Sequence, residues 1–134
     1  MRWFCKGTKK EVWDIDLEQP MGDIEAARKI REICDAAAGA AKKITEGNKM
    51  EIKRFGSAAK TAMEVAIRIS DDGLRDSALR DIVNLCVKAS YLMTALILAR
   101  SIRTVSIQED ALKDNPSIRA MLEASTAPST GPRS

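Results

Sequence analysis

Histidine is absent from the 134 residues, and with it the usual general base at neutral pH and the commonest metal ligand. A Cys/His zinc site is excluded on the same ground. The three cysteines, Cys5, Cys34 and Cys86, are odd in number and far apart, and no Cys-x-x-Cys pair occurs, so no disulfide framework is indicated. Aromatic residues make up only 4% of the chain, which leaves Ala, Ile, Leu, Val and Met to build the core and suits closely spaced helices better than a sandwich. The seven glycines are scattered, so neither common phosphate-binding loop can be drawn. No Glu-x-x-His pair of the di-iron bundles is present either. Nor is the charge strongly of one sign: the net +3 permits an anionic partner without requiring one. These absences lead us to expect a non-enzymatic protein with no catalytic, cofactor-binding or metal-binding residues.

What the chain does have is period. Ala26, Ile30, Ile33, Ala37, Ala40 and Ile44 recur at steps of three and four, as do Ile52, Phe55, Ala59, Ala62, Ala66 and Ile69. A third run is Ala78, Ile82, Leu85, Ala89, Leu92 and Leu96. Such spacing places each set on one helical face, and three sets specify helices packed on helices. The expected fold is all-α: an antiparallel bundle of three main helices plus a short C-terminal helical segment, with a short extended N-terminal arm. Residues 1–22 form the arm, 23–124 the bundle domain and 125–134, rich in Ser, Thr, Pro and Gly, a disordered tail.

Helix one is expected from Asp23, as N-cap, to Glu46, stopping at Gly47. Its stretch 36–41 is alanine and glycine only and lets another helix approach closely. Helix two follows from Asn48 to Ile69, and Ser70-Asp71-Asp72-Gly73 breaks it. Helix three is expected from Leu74 to Ile102, 29 residues or about 43 Å. Between Ile82 and Ala99 its one charged residue is Lys88, which predicts burial among neighbours, another subunit included; Asn84 and Lys88 argue against a membrane span. Ser106-Ile107-Gln108-Glu109 has the form of a capping box, and Asn115-Pro116 restarts a last helix with Pro116 at its first position. Opposite charges four apart (Glu25/Lys29, Arg31/Asp35, Lys60/Glu64, Asp76/Arg80) mark solvated faces. Cys34 and Cys86 fall in the apolar pattern and read as small buried hydrophobes.

In the arm, Trp13, Ile15 and Leu17 alternate with Asp14, Asp16 and Glu18 up to Pro20, the pattern of a short strand with one wet side. Such a strand lies across the bundle or pairs with a neighbouring subunit. Trp3 and Phe4 stand among Arg2, Lys6, Lys9 and Lys10. With Trp13, Ile15, Leu17, Leu92 and Leu96 they are the candidate protein interface, since Trp is favoured at interface hot spots. Free thiols and the lack of a signal-peptide pattern predict a reducing, cytoplasmic setting.

The one concentration of charge is Lys42, Lys43, Lys49, Lys53 and Arg54 around the turn at Gly47, diluted by Glu46 and Glu51. Chain reversal there brings the end of helix one beside the start of helix two, and converging cations can contact phosphates. No aromatic interleaves them except Phe55, a core residue, so base stacking is not indicated. Within Ile33 to Gly47, Ala36-Ala37 followed by Ile44-Thr45-Glu46-Gly47 resembles the Ala-Ala and Ile-Ala-Glu-Gly signature of small four-helix-bundle proteins encoded in ribosomal-RNA intervening sequences. Their relatives are accessory proteins of diversity-generating retroelements. The family's serine–proline pair is missing from this stretch. The resemblance implies a ring-shaped homo-oligomer whose basic surface is associated with nucleic acid. Taken together, the expected function is self-association and protein–protein interaction, as an assembly or adaptor protein. The alternative is a nucleic-acid-binding accessory protein.

Overall fold

The computed structural model describes residues 11–45 and 47–126, and in them every regular element is a helix. They are α1 (Asp23–Thr45), α2 (Lys49–Ala66), α3 (Asp72–Lys88), α4 (Leu92–Ser101), α5 (Val105–Asp114) and α6 (Pro116–Thr126). The bundle expected from the three-four spacing is present, with one helix more than the spacing announced. Trp3 and Phe4 lie outside the described residues, as does the tail beyond α6.

α1 buries Ala26, Ile30, Ile33, Cys34, Ala37 and Ala40, as expected, and adds Ala41, while Ile44 is only partly buried. α2 buries Phe55, Ala59, Ala62 and Ala66 together with Ala58 and Val65, while Ile52 turns outward and Glu51 takes its place. The apolar faces of these two helices are therefore largely alanine. α1 packs on both α2 and α3. α3 in turn packs on α4 and α5, and α6 closes on α4 and α5. No backbone of α1 or α2 comes near that of α4, α5 or α6, so α3 is the helix that both halves pack on. Its buried Ala78, Leu79, Ile82, Val83, Leu85 and Cys86 accordingly form an apolar arc of about 160° around the helix.

The ends explain why the elements stop where they do. Gly47 holds φ at +89°, a left-handed conformation that costs glycine nothing, and its N–H donates to the Ile44 carbonyl. Asn48 caps α2 through its side-chain oxygen to the Met50 N–H, and Asp71 caps α3 through the Leu74 N–H. Asp23 does not cap its own helix. Gly22 accepts the first intrahelical bond, from the Ala26 N–H. The Asp23 carboxylate instead accepts from the N–H and hydroxyl of Ser70 and from the Asp71 N–H, stitching the start of α1 to the α2–α3 loop.

The expected long third helix is two helices. Ser90 takes φ +66°, the Tyr91 N–H donates to the Cys86 carbonyl, and the Ser90 N–H donates to that of Val87. This is a Schellman ending with serine where glycine usually stands. Tyr91, just past the turn, packs edge-on against Phe55 of α2, ring centres 5.1 Å apart. α4 then folds back along α3. At ten residues it is about 15 Å long, and among the described residues no helix is long and apolar enough to cross a membrane.

The capping box at Ser106 does not form. Thr104 is the N-cap of α5, and the end is capped from outside the helix. Asp76 of α3, 0% exposed, accepts at one carboxylate oxygen from the N–H groups of Arg103 and Thr104 and from the Thr104 hydroxyl, at 2.7–3.2 Å. Gln108 donates to the carbonyls of Ala99 and Ile102. Asp76 is thus no partner of Arg80 on a wet face. Arg80 reaches across to Asp114 at 2.8 Å and Asp110 at 3.7 Å, which ties α3 to α5. Pro116 does open α6.

The arm is no strand. Two turns interrupt it, with the Asp14 N–H donating to the Glu11 carbonyl and the Gln19 N–H to that of Asp16. The alternation in burial nevertheless holds. Trp13 is 5% exposed, Ile15 and Leu17 pack on the core, and Asp14, Asp16 and Glu18 face solvent.

Candidate functional site

Four of the five expected phosphate-contacting cations stand in solvent. Lys42 and Lys43 end α1, Lys49 opens α2 and Lys53 lies one turn on, so all four gather at one end of the bundle. Arg54 does not belong with them. Its guanidinium makes a two-pronged ion pair with Glu11 at 2.9 and 3.0 Å and a third bond to Glu51 at 2.7 Å. It also covers the Trp13 ring at 5.4 Å. Arg54 is the clasp that holds the arm on the bundle, and its charge is spent inside the molecule.

The candidate protein interface divides in a similar way. Trp13 and Leu96, the latter 4% exposed, are consumed by the chain's own core, and Ile15, Leu17 and Leu92 pack partly against it. The apolar side chains that α4 leaves bare are Met93, 60% exposed, and Ile97, 58% exposed, one turn apart on its outer side. The expected phase of a single long helix put Leu92 and Leu96 on the seam and gave Met93 and Ile97 no role.

Clefts between the helices add to the surface, and two of them bear on function. One, of about 260 Å³ between α1 and α3, is bordered by Arg31, Asp35, Asp81 and Lys88 with Cys34 and Leu85 at its base. Burial pushes the Asp81 carboxyl above its usual range, with Arg31 and Arg80 opposing and Asp35 adding to the shift. Burial likewise pushes the Cys34 thiol up to about 12, aided by Asp81, and the Cys86 thiol up to about 11. Both sulfurs are protonated at neutral pH and are poor nucleophiles. The other cleft, of about 370 Å³, runs between α2, α3 and α4. Its walls are Met63, Ile67, Leu79 and Leu98, and Arg75, Ser101 and Arg103 stand at one end. Among the described residues no three metal-ligating side chains converge. Asp14 and Asp16 accept backbone N–H groups of their own turns, from Glu11 and Glu18.

Neither a protein-family model, nor a curated protein, nor a solved structure matches this chain, and the likeness of Ile33–Gly47 to the retroelement accessory proteins rests on that stretch alone.

Proposed function

We propose that the protein is a non-enzymatic helical bundle that works by association, with itself first, through the outer face of α4. One observation carries this: Met93 and Ile97 form a bare apolar pair on a helix whose opposite face is already filled by Ala95, Leu96 and Ala99. An apolar stripe left in water costs free energy that a partner surface recovers. Sedimentation of the full chain tests the reading. At micromolar concentration the wild type runs as an oligomer, and the double variant Met93→Lys, Ile97→Lys runs as a folded monomer. A strictly monomeric wild type overturns it.

The four exposed lysines at the α1–α2 end support a second reading, a nucleic-acid-associated accessory role. Phosphate contacts by Lys42, Lys43, Lys49 and Lys53 would release counterions, so binding weakens steeply with salt. Replacing all four by Ser abolishes salt-sensitive RNA or DNA binding while the melting temperature stays close to that of wild type. Absence of binding by the wild type at low salt ends this reading.

A further inference from the structure

The cleft between α2, α3 and α4 is graded along its length. The Arg103 N–H donates to Asp76, which puts Arg103 level with Arg75 on the neighbouring helix. One turn further along α3 comes Leu79, one turn back along α2 from Ile67 comes Met63, and Leu98 precedes Ser101 by one turn of α4. Two guanidinium groups therefore stand at one end and Met63, Leu79 and Leu98 at the other. Among the described residues no carboxylate lines the space.

The cationic end is held in place from behind. Arg75 Nη2 lies 3.0 Å from Asp72 and 3.6 Å from the buried Asp76, yet it completes no hydrogen bond, and neither does Asp76 Oδ1. Arg103 forms no side-chain ion pair among the described residues. The end of the cleft thus presents the Arg103 guanidinium beside an apolar wall, with the buried Arg75 Nη2 and its charge behind it. A space of about 370 Å³ lies within the range of small-molecule sites, which combine apolar walls with a few convergent polar groups.

We propose that this cleft binds an amphiphile with one anionic head and a medium-length apolar tail, a saturated carboxylate being the simplest member of the class. The head takes its bonds from Arg103, with the charge of Arg75 behind it; the Ser101 hydroxyl, which donates to the Ile97 carbonyl, stands at the same end. The tail lies between Met63, Leu79 and Leu98. The site is separate from the proposed self-association, because neither Met93 nor Ile97 lines it.

Decanoate is the probe, titrated into the full chain by calorimetry below its micelle concentration. One molecule binds per chain, and affinity rises roughly fourfold for each methylene from hexanoate to decanoate. Decyltrimethylammonium, with the same tail and opposite charge, binds at least about tenfold more weakly. Arg103→Gln keeps the backbone bond to Asp76 and weakens decanoate about tenfold. Leu98→Gln flattens the dependence on chain length, and an unchanged circular-dichroism spectrum shows that both variants are folded. No saturable heat with decanoate, or equal binding of the cationic amphiphile, overturns the proposal. So does binding of an acidic amphipathic peptide without decanoate, which would make the cleft a seat for a partner protein's helix.

Discussion

Asp76 is the residue on which most local order depends. It is fully buried, and burial opposes its charge. The Thr104 hydroxyl and N–H, Arg75 and the Arg103 N–H outweigh that, so the carboxyl is held below its usual range. Asp76→Ala strands two N–H groups and a hydroxyl at the start of α5 and leaves Arg75 without its buried partner. The expected loss is about 3 kcal/mol, seen as a drop of roughly 10 °C in a thermal melt. A lowered carboxyl contributes stability above the unfolded value of about 3.9, and that contribution is lost as pH falls through the folded value. Asp23, lowered by its bonds from the backbone of Ser70 and Asp71, acts in the same direction. Asp81, raised by burial, acts in the other: its contribution is present below about 3.9 and lost as pH rises. Urea unfolding at a series of pH values below 4 should therefore show a shallower acid loss in Asp76→Asn than in wild type. Asp81→Asn should gain stability over wild type at pH 7 and lose that advantage in acid.

At the level of the helices, the turn at Ser90 separates what could be read from what could not. The apolar period passes through Leu85, Ala89, Leu92 and Leu96 without a break, and neither Gly nor Pro interrupts it. The chain turns there because the left-handed position is filled by a serine and because Tyr91 finds Phe55, 36 positions earlier. Neither cause is a local signal. Serine in that conformation is strained where glycine is not. Ser90→Gly should therefore stabilise by about 1 kcal/mol and raise the melting temperature by roughly 3 °C. Gly47→Ala, at the other left-handed position, should cost about the same. The ends with local punctuation, α1 at Gly47, α2 at Asn48 and α6 at Pro116, are the ones that were legible. α5 was misread because its cap comes from Asp76, 28 positions away from Thr104. The cluster of lysines was legible because its members are close in sequence. The loss of Arg54 from it was not, since Glu11 lies 43 positions upstream.

Across the whole molecule, the arm and the bundle are joined at Arg54. Removing that guanidinium breaks the pair with Glu11, uncovers Trp13 and leaves Glu51, itself nearly buried, without a counter-charge. Arg54→Ala should cost about 2 kcal/mol and release residues 11–18 ahead of the rest. Hydrogen exchange would register this as fast exchange of the arm amides with α1 and α3 still protected; uniform acceleration would mean that the arm is not a separable unit.

α3 is the one helix that packs on both α1 and α2 and on α4 and α5, and both sides draw on its side chains. Neither side is therefore a folding unit in its own right. A chain ended after Lys88 would not be a smaller version of this protein: it would carry Leu79, Val83 and Asp76 bare into water and clump. Evolution cannot shuffle the two halves as modules.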